Sequence, residues 1–273
     1  MIKCNDWPIS VCTWSLKNDF ESLLKLREET GINNLHLALS PAIDSEQNDY
    51  LDKVKQQDWQ ISATMIGFAQ EDYSTLETIK ATGGIVPDDV WDENEKRVKK
   101  AIDLTAQLGV TYLSFHFGFL NAEDEQAFEK LIQRTKGLAD YANQKNVVLL
   151  METGQETTEE MKTFLQAVGA ENLAVNFDPA NMILYNKGNP IEALADLAQW
   201  VKHVHIKDAL KTQTPGTWGQ EVPWAQGQVN RDEFLETLKK TGYDGSISIE
   251  REAGNSRFED IKNAVLNLKS FES

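Results

Sequence analysis

Apolar and polar positions follow two alternating patterns along the whole chain. Short runs rich in β-branched and aromatic residues, typical of buried strands, alternate with longer segments in which apolar residues recur every three or four positions, as in amphipathic helices. Eight of the short runs predict strands, at residues 9–16, 34–39, 61–68, 111–117, 147–152, 173–178, 203–207 and 246–250. The segments between them predict helices, and residues 45–57 show the weakest helical pattern.

This regular alternation predicts an α/β fold. Eight strand-then-helix units within 273 residues match a (β/α)8 TIM barrel, for which about 250 residues is typical. A doubly wound open sheet usually has a glycine-rich turn after its first strand, whereas residues 15–19 read SLKND. We therefore predict a single-domain TIM barrel over residues 1–273. The long connections at 69–88 and 209–228 are predicted to be functional loops.

Charge and cysteine content narrow the possible partners. The chain carries 27 Lys and Arg against 43 Asp and Glu, a formal net charge of −16. Such a surface repels phosphate backbones and anionic lipids, which argues against nucleic-acid and membrane partners. Cys4 and Cys12 are too few for a disulfide framework or a thiolate zinc site. The sequence shows neither a signal peptide nor an apolar run of roughly 20 residues, so we expect a cytoplasmic protein.

Three predicted strands end on a carboxylate, at Glu152, Asp178 and Glu250. The carboxyl ends of barrel strands form the mouth of the active site, so these acids are expected to converge there. Carboxylates that are crowded together need a positive partner, and a divalent cation is the simplest one.

The seventh predicted strand supplies a nitrogen ligand. In the segment HVHIKD, the period of two places His203, His205 and Lys207 on one face. If this face points inward, His205 lies near the level of the three acids. The four predicted ligands of one divalent ion (Mn, Mg, Co or Zn) are therefore Glu152, Asp178, His205 and Glu250.

Four segments resemble the xylose-isomerase-like TIM-barrel superfamily, in its sugar phosphate isomerase/epimerase branch. They read METGQE at 151–156, NFDPAN at 176–181, HVHIKD at 203–208 and GYDGSISIERE at 242–252. The resemblance implies a metal held by the same four residues, with Glu152 and Glu250 also exchanging protons with the substrate. It further implies that His203 contacts the substrate or supports the ligands.

One position departs from the family pattern. Ketose 3-epimerases of this superfamily often have a histidine three positions after the metal-binding aspartate, where this chain has Asn181. Asparagine can still bind substrate by hydrogen bonds, but it cannot shuttle a proton near neutral pH.

The predicted mechanism is proton transfer beside a carbonyl. A sugar that chelates the cation through its carbonyl and a neighbouring hydroxyl would form a stabilised enediolate when a carbon-bound proton is removed. Glu152 and Glu250 lie on different sides of the barrel, so proton transfer between faces gives epimerisation and transfer on one face gives isomerisation. Expulsion of a β-hydroxyl would instead make the protein a lyase or dehydratase.

Two further classes of protein are compatible with a barrel of this kind. A non-catalytic sugar-binding barrel would keep the fold but would not catalyse a reaction. An apurinic-site endonuclease shares the barrel, but its zinc cluster needs more than the four histidines present and a basic surface.

Secondary substrate contacts are predicted at His116, Lys207, Trp14 and Glu221. His116 could equally be a hydrogen-bonded core histidine, and His36 is expected to fill the barrel or lie at its rim. The partner is predicted to be a small-molecule sugar. An unphosphorylated sugar is favoured because the sequence shows no glycine-rich segment that would bind a phosphate. A homo-oligomer is possible by analogy with similar barrels.

Overall fold

The computed structural model describes residues 1–45 and 49–271. Its strands are β1 (Lys3–Cys4), β2 (Trp7–Cys12), β3 (Asn34–Ala38), β4 (Gln60–Met65), β5 (Tyr112–Phe115), β6 (Val148–Glu152), β7 (Leu173–Phe177), β8 (Val201–Ile206), β9 (Asp208–Leu210), β10 (Gln220–Val222) and β11 (Ile247–Ile249). Its α-helices are α1 (Phe20–Thr30), α2 (Ser40–Ile43), α3 (Tyr50–Gln56), α4 (Leu76–Thr82), α5 (Trp91–Gln107), α6 (Glu125–Asn143), α7 (Thr158–Val168), α8 (Pro179–Leu184), α9 (Pro190–Leu197), α10 (Arg231–Lys240) and α11 (Arg257–Lys269). A short 3-10 helix covers Thr13–Leu16.

Eight parallel strands close into a barrel. They follow the order β2, β3, β4, β5, β6, β7, β8 and β11, and β11 pairs again with β2. The fold is a TIM barrel surrounded by helices, which confirms the predicted class. All eight predicted strands are present, although their ends differ from the predicted bounds by up to four residues.

The apolar core lies between the strands and the helices. On α5, Val98 and Ile102 are completely buried, as their four-residue spacing predicts. On β3, Leu35 and Leu37 belong to this core, while His36 between them points into the barrel and contacts His205. The alternation that predicts strands therefore also separates the outer core from a polar barrel interior.

Both long connections contain regular structure that the sequence patterns did not indicate. The first includes α4, and the second is built on an antiparallel pairing of β9 with β10. Strand β1 forms a further antiparallel pair with β2. Within the predicted segment 45–57, α3 is observed and residues 46–48 lie outside the described residues. Across the described chain, no helix is long and apolar enough to cross a membrane.

Candidate metal centre and active site

The four predicted metal ligands meet at the carboxyl ends of neighbouring strands. Glu152 ends β6, Asp178 follows β7, His205 lies in β8 and Glu250 follows β11. The Nδ1 atom of His205 lies 3.4 Å from Glu152 Oε1, 3.3 Å from Asp178 Oδ2 and 3.3 Å from Glu250 Oε2. All four residues are buried, and their candidate donor atoms lie within 4.8 Å of one another. The predicted convergence is therefore present in the structure.

Asp178 owes its orientation to the start of α8. Its Oδ1 caps the helix by accepting a hydrogen bond from the backbone N–H of Asn181, and Pro179 occupies the first helical position. The other oxygen, Oδ2, is then free to face His205. The Asp-Pro pair of the sequence thus fixes a helix start and one ligand together.

The donor set fits a divalent cation. Three carboxylates surround one imidazole, and the ammonium group of Lys207 is shared between Glu250 and Glu252. Within the described chain, Glu152 Oε2 is buried and has no hydrogen-bond partner. A buried carboxylate oxygen without a partner is costly, and coordination to a cation would satisfy it. Oxygen ligands with one imidazole suit Mn, Mg, Co or Zn.

Glu250 is held as an ionised carboxylate. The indole Nε1 of Trp14 donates to its Oε1 at 2.6 Å, and Lys207 Nζ donates to its Oε2 at 2.8 Å. Burial opposes ionisation, but the charges of Lys207 and His205 outweigh it and keep the pKa of Glu250 well below its usual range. This glutamate can therefore accept a proton near neutral pH.

Glu152 is the second ionised glutamate. Its Oε1 accepts a hydrogen bond from Asn181 Nδ2 at 3.1 Å and lies 3.8 Å from His116 Nε2. Burial opposes ionisation here too, but His116 and His205 lower the pKa of Glu152 below its ordinary value. Burial alone would lower the pKa of His116, but the charges of Glu152 and Glu71 raise it above its ordinary value. The glutamate therefore faces an imidazole that is readily protonated.

His205 rests on a polar layer inside the barrel. Its Nε2 lies 3.0 Å from His36 Nδ1 and 3.1 Å from the carboxamide of Asn176. Cys12 Sγ is 3.7 Å from the same nitrogen. Burial lowers the pKa of His36 to about 3, so that ring is neutral. The expectation that His36 fills the barrel agrees with this position.

Of the two roles implied for His203, substrate contact and support of the ligands, its position favours support. The ring is 1% exposed and its nitrogens contact Asn176, Ser62 and Ser248 inside the barrel. It lies two residues before His205, and a strand rises about 3.3 Å per residue, so His203 faces inward but stays well below the mouth. His203 therefore supports the layer beneath the ligands.

A cavity of about 640 Å³ opens above the four ligands. It is lined by both glutamate ligands and by five of the predicted contacts: Trp14, His116, Asn181, Lys207 and Glu221. The lining residues that the sequence did not indicate include Glu71, Tyr73, Tyr185, Trp218 and Glu252. Glu71, Tyr73 and Trp218 lie in the two long connections that the sequence predicts to be functional loops. Glu252 follows the predicted ligand Glu250 by two positions, so the sequence held a signal for these four residues.

Glu221 lines the cavity but its Oε1 is already engaged. This oxygen accepts hydrogen bonds from Arg251 Nη1 at 2.6 Å and from the backbone N–H groups of Glu252 and Ala253 at 2.9 and 3.2 Å. The contact of Glu221 with a substrate hydroxyl stays a prediction, and the other carboxylate oxygen, Oε2, would have to make it. Through these hydrogen bonds, Glu221 links β10 to the segment that follows β11.

Comparison with known proteins identifies the family of this chain. The family described as the xylose isomerase-like TIM barrel matches residues 18–271, and the chain belongs to this family. A xylose isomerase domain protein from Planctomyces limnophilus has 30% sequence identity and a TM-score of 0.85, with 96% of this chain and 95% of that chain covered.

Among curated relatives, an inosose dehydratase from Clostridium botulinum is 29% identical over 130 residues, or 42% of each chain. The match thus spans about two fifths of that relative's length. A protein from Mycobacterium smegmatis solved with magnesium has 18% identity and a TM-score of 0.69, with 99% of both chains covered, which shows the shared fold. Another structure of this fold holds zinc, and others are an L-ribulose 3-epimerase and a probable 3-DHS dehydratase.

Proposed function

We propose that this protein is a divalent-metal-dependent sugar isomerase or epimerase. The observation that carries the proposal is the placement of Glu152 and Glu250 at the two ends of the row of four ligands, with charged neighbours that lower the pKa of each glutamate. Their strands, β6 and β11, are separated by β7 and β8 in the barrel. A substrate seated between them would present a different face to each carboxylate, so one glutamate removes a carbon-bound proton and the other returns one.

Glu152, Asp178, His205 and Glu250 would hold the metal. When bound, a divalent cation polarises the substrate carbonyl and lowers the pKa of the neighbouring carbon-bound proton. Lys207 and Trp14 keep Glu250 ionised and oriented, while Asn181 orients Glu152. Burial at the cavity floor keeps water away from these groups, which strengthens their electrostatic effect.

The substrate is proposed to be an unphosphorylated sugar or polyol. Five glutamates line the cavity, and the cation that could balance a phosphate, Lys207, is bound to Glu250 and Glu252. A dianionic phosphate would therefore meet net repulsion. Trp14, Tyr185 and Trp218 give the same cavity flat aromatic walls suited to the carbon-bound hydrogens of a sugar ring.

Dehydration is the second candidate. It is favoured by the sequence match to an inosose dehydratase and by His116, which lines the cavity and whose pKa is raised by Glu152 and Glu71 against the effect of burial. A protonated His116 can give its proton to a departing hydroxyl after a glutamate has removed the carbon-bound proton.

Deuterium exchange tests the shared first step. Metal-loaded protein is incubated in D2O with a panel of ketoses and inososes, and the products are followed by NMR. We expect deuterium beside the carbonyl, with a new sugar isomer for the first candidate and loss of water for the second. Glu152→Gln and Glu250→Gln should abolish exchange, whereas Glu236→Gln on the exposed face of α10 should not. Absence of exchange with every substrate, in protein that binds metal, would favour a non-catalytic sugar-binding barrel.

A further inference from the structure

A line of polar groups crosses the barrel interior beneath the proposed metal ligands. This line, here called the relay, runs from the carbonyl oxygen of Thr64 on β4 through His36 on β3 to His205 on β8. We propose that His36 is a positioning residue that fixes the tautomer of His205, so that the Nδ1 lone pair of His205 faces the three carboxylates. This inference rests on the proposed metal-dependent function and concerns how one ligand is prepared for the ion.

The first step of the relay fixes His36. Its Nε2 lies 3.3 Å from the carbonyl oxygen of Thr64 and 3.0 Å from Ser114 Oγ, and that hydroxyl itself donates to the Thr64 carbonyl at 3.4 Å. A carbonyl oxygen can only accept, and a hydroxyl that donates to it offers its lone pair to the ring. The single proton of the neutral His36 ring therefore belongs on Nε2, and Nδ1 is left as an acceptor.

The second step fixes His205. The acceptor Nδ1 of His36 lies 3.0 Å from His205 Nε2, so that nitrogen carries a proton and donates it. The opposite nitrogen, Nδ1, faces Glu152, Asp178 and Glu250 at 3.3 to 3.4 Å. A histidine ligand must present a bare nitrogen to its metal, and a hydrogen bond at the other nitrogen selects that tautomer.

The opposite assignment gives a poorer network. If His36 donated from Nδ1, His205 Nε2 would be the acceptor and the neutral His205 ring would carry its proton on Nδ1. That proton would occupy the place where the metal must bind. The carbonyl of Thr64 would then keep the Ser114 hydroxyl as a donor but lose the ring donor.

The proposed relay also orients the amide of Asn176. In the structure, Asn176 Nδ2 lies 3.1 Å from His205 Nε2, and Asn176 Oδ1 lies 2.9 Å from His203 Nδ1. Because His205 Nε2 is a donor in the relay, the proposal requires this carboxamide to be turned over, so that its oxygen faces His205 and its nitrogen faces His203. His203 then donates from Nε2 to the hydroxyls of Ser62 and Ser248, each 3.1 Å away.

Packing holds the His36 ring in place. The residue is completely buried, with Trp14 edge-on at 4.9 Å between ring centroids and His203 edge-on at 4.5 Å. In a close-packed interior, such a ring cannot turn over without opening a void. The direction of the relay is therefore built into the barrel interior.

Nitrogen NMR reads the tautomers directly. The chain has four histidines, so the ring nitrogens of 15N-histidine-labelled protein can be resolved and assigned with single-histidine variants. We expect His36 to be protonated on Nε2 and bare on Nδ1, both in the metal-free protein and in the Zn²⁺-loaded protein. Zn²⁺ should shift Nδ1 of His205 and leave its Nε2 protonated. A proton on Nδ1 of His36 would overturn the proposal, whatever the behaviour of any variant.

Zn²⁺ titration calorimetry tests the energetic consequence. His36→Leu removes the acceptor and should weaken Zn²⁺ binding about 10- to 100-fold. His36→Asn, whose amide oxygen can accept near the original Nδ1 position, should restore most of the affinity. The control is Tyr243→Phe, which removes a hydroxyl that donates to the carbonyl oxygen of Ser246 outside the relay and should leave the affinity unchanged.

These measurements separate the relay from the metal centre. If the parent protein binds no divalent ion, the proposed function fails. If the parent binds Zn²⁺ and a folded His36→Leu variant binds it equally well, the relay fails while the metal centre stands. Circular dichroism of each metal-free variant verifies folding, and if His36→Leu does not fold, the tautomer measured in the parent protein decides.

Discussion

Glu156 is a buried carboxyl group whose ionisation the fold opposes. It precedes α7, is 4% exposed and accepts a hydrogen bond from the backbone N–H of Gly154. Burial raises its pKa from 4.5 to about 7. The group therefore stays protonated in the folded protein at pH values where the unfolded chain has already ionised.

The sign and size of the effect on stability follow from proton linkage. Between these two pKa values the folded state binds more protons than the unfolded state, so the free energy of unfolding falls as pH rises. The separation of the two values corresponds to about 3 kcal/mol, at about 1.4 kcal/mol for each pH unit. The loss begins near pH 4.5 and is complete once pH has passed about 7.

Glu156→Gln removes this loss because the amide accepts the same hydrogen bond and cannot ionise. In urea unfolding of metal-free protein, followed by circular dichroism, we expect the variant to exceed the parent by about 3 kcal/mol at pH 8 and to match it near pH 4. The control is Glu159→Gln, at a highly exposed position in the first turn of α7. A stability difference that is the same at both pH values would refute the argument.

Three further outcomes are expected. Lys207→Met removes the ammonium that keeps Glu250 ionised, and deuterium exchange should slow about 100-fold or more in protein that still folds. Arg251→Met breaks a buried pair with Glu221 and should lower the free energy of unfolding by about 3 to 5 kcal/mol, with faster proteolysis in the segment 209–228. Removal of the metal by a chelator should lower the melting temperature, and at 100 times Kd the restored ion should return about 2.7 kcal/mol. An unchanged exchange rate would contradict the first prediction, and an unchanged free energy of unfolding in urea would contradict the second. An unchanged melting temperature after chelation would contradict the third.

The barrel and the ligand set are predictable from local pattern. Each barrel strand is a buried run bounded by polar residues, and the position of Glu152, Asp178 or Glu250 at the end of such a run places it at one mouth. Asp178 is reinforced by the proline after it, which marks a helix start. These features depend on neighbours within a few residues, so the sequence carries them directly.

Depth within the barrel and contacts between loops are not local. Alternation shows that His203 and His205 share a face, but only the height of the strand relative to its neighbours decides which of them reaches the mouth. Glu221 forms an ion pair with Arg251, which lies 30 residues further along the chain. Tyr73 and Trp218 reach the cavity because their loops fold over it, which no periodicity indicates.

Metal content of the purified protein tests the central claim most directly. Elemental analysis after removal of loosely bound ions should find about one divalent ion per chain, as one four-ligand centre requires. The double variant Glu152→Gln, Glu250→Gln should retain none. If the parent neither retains an ion nor takes one up from Mn, Mg, Co or Zn, or if the double variant binds as well as the parent, these four residues are not a metal centre.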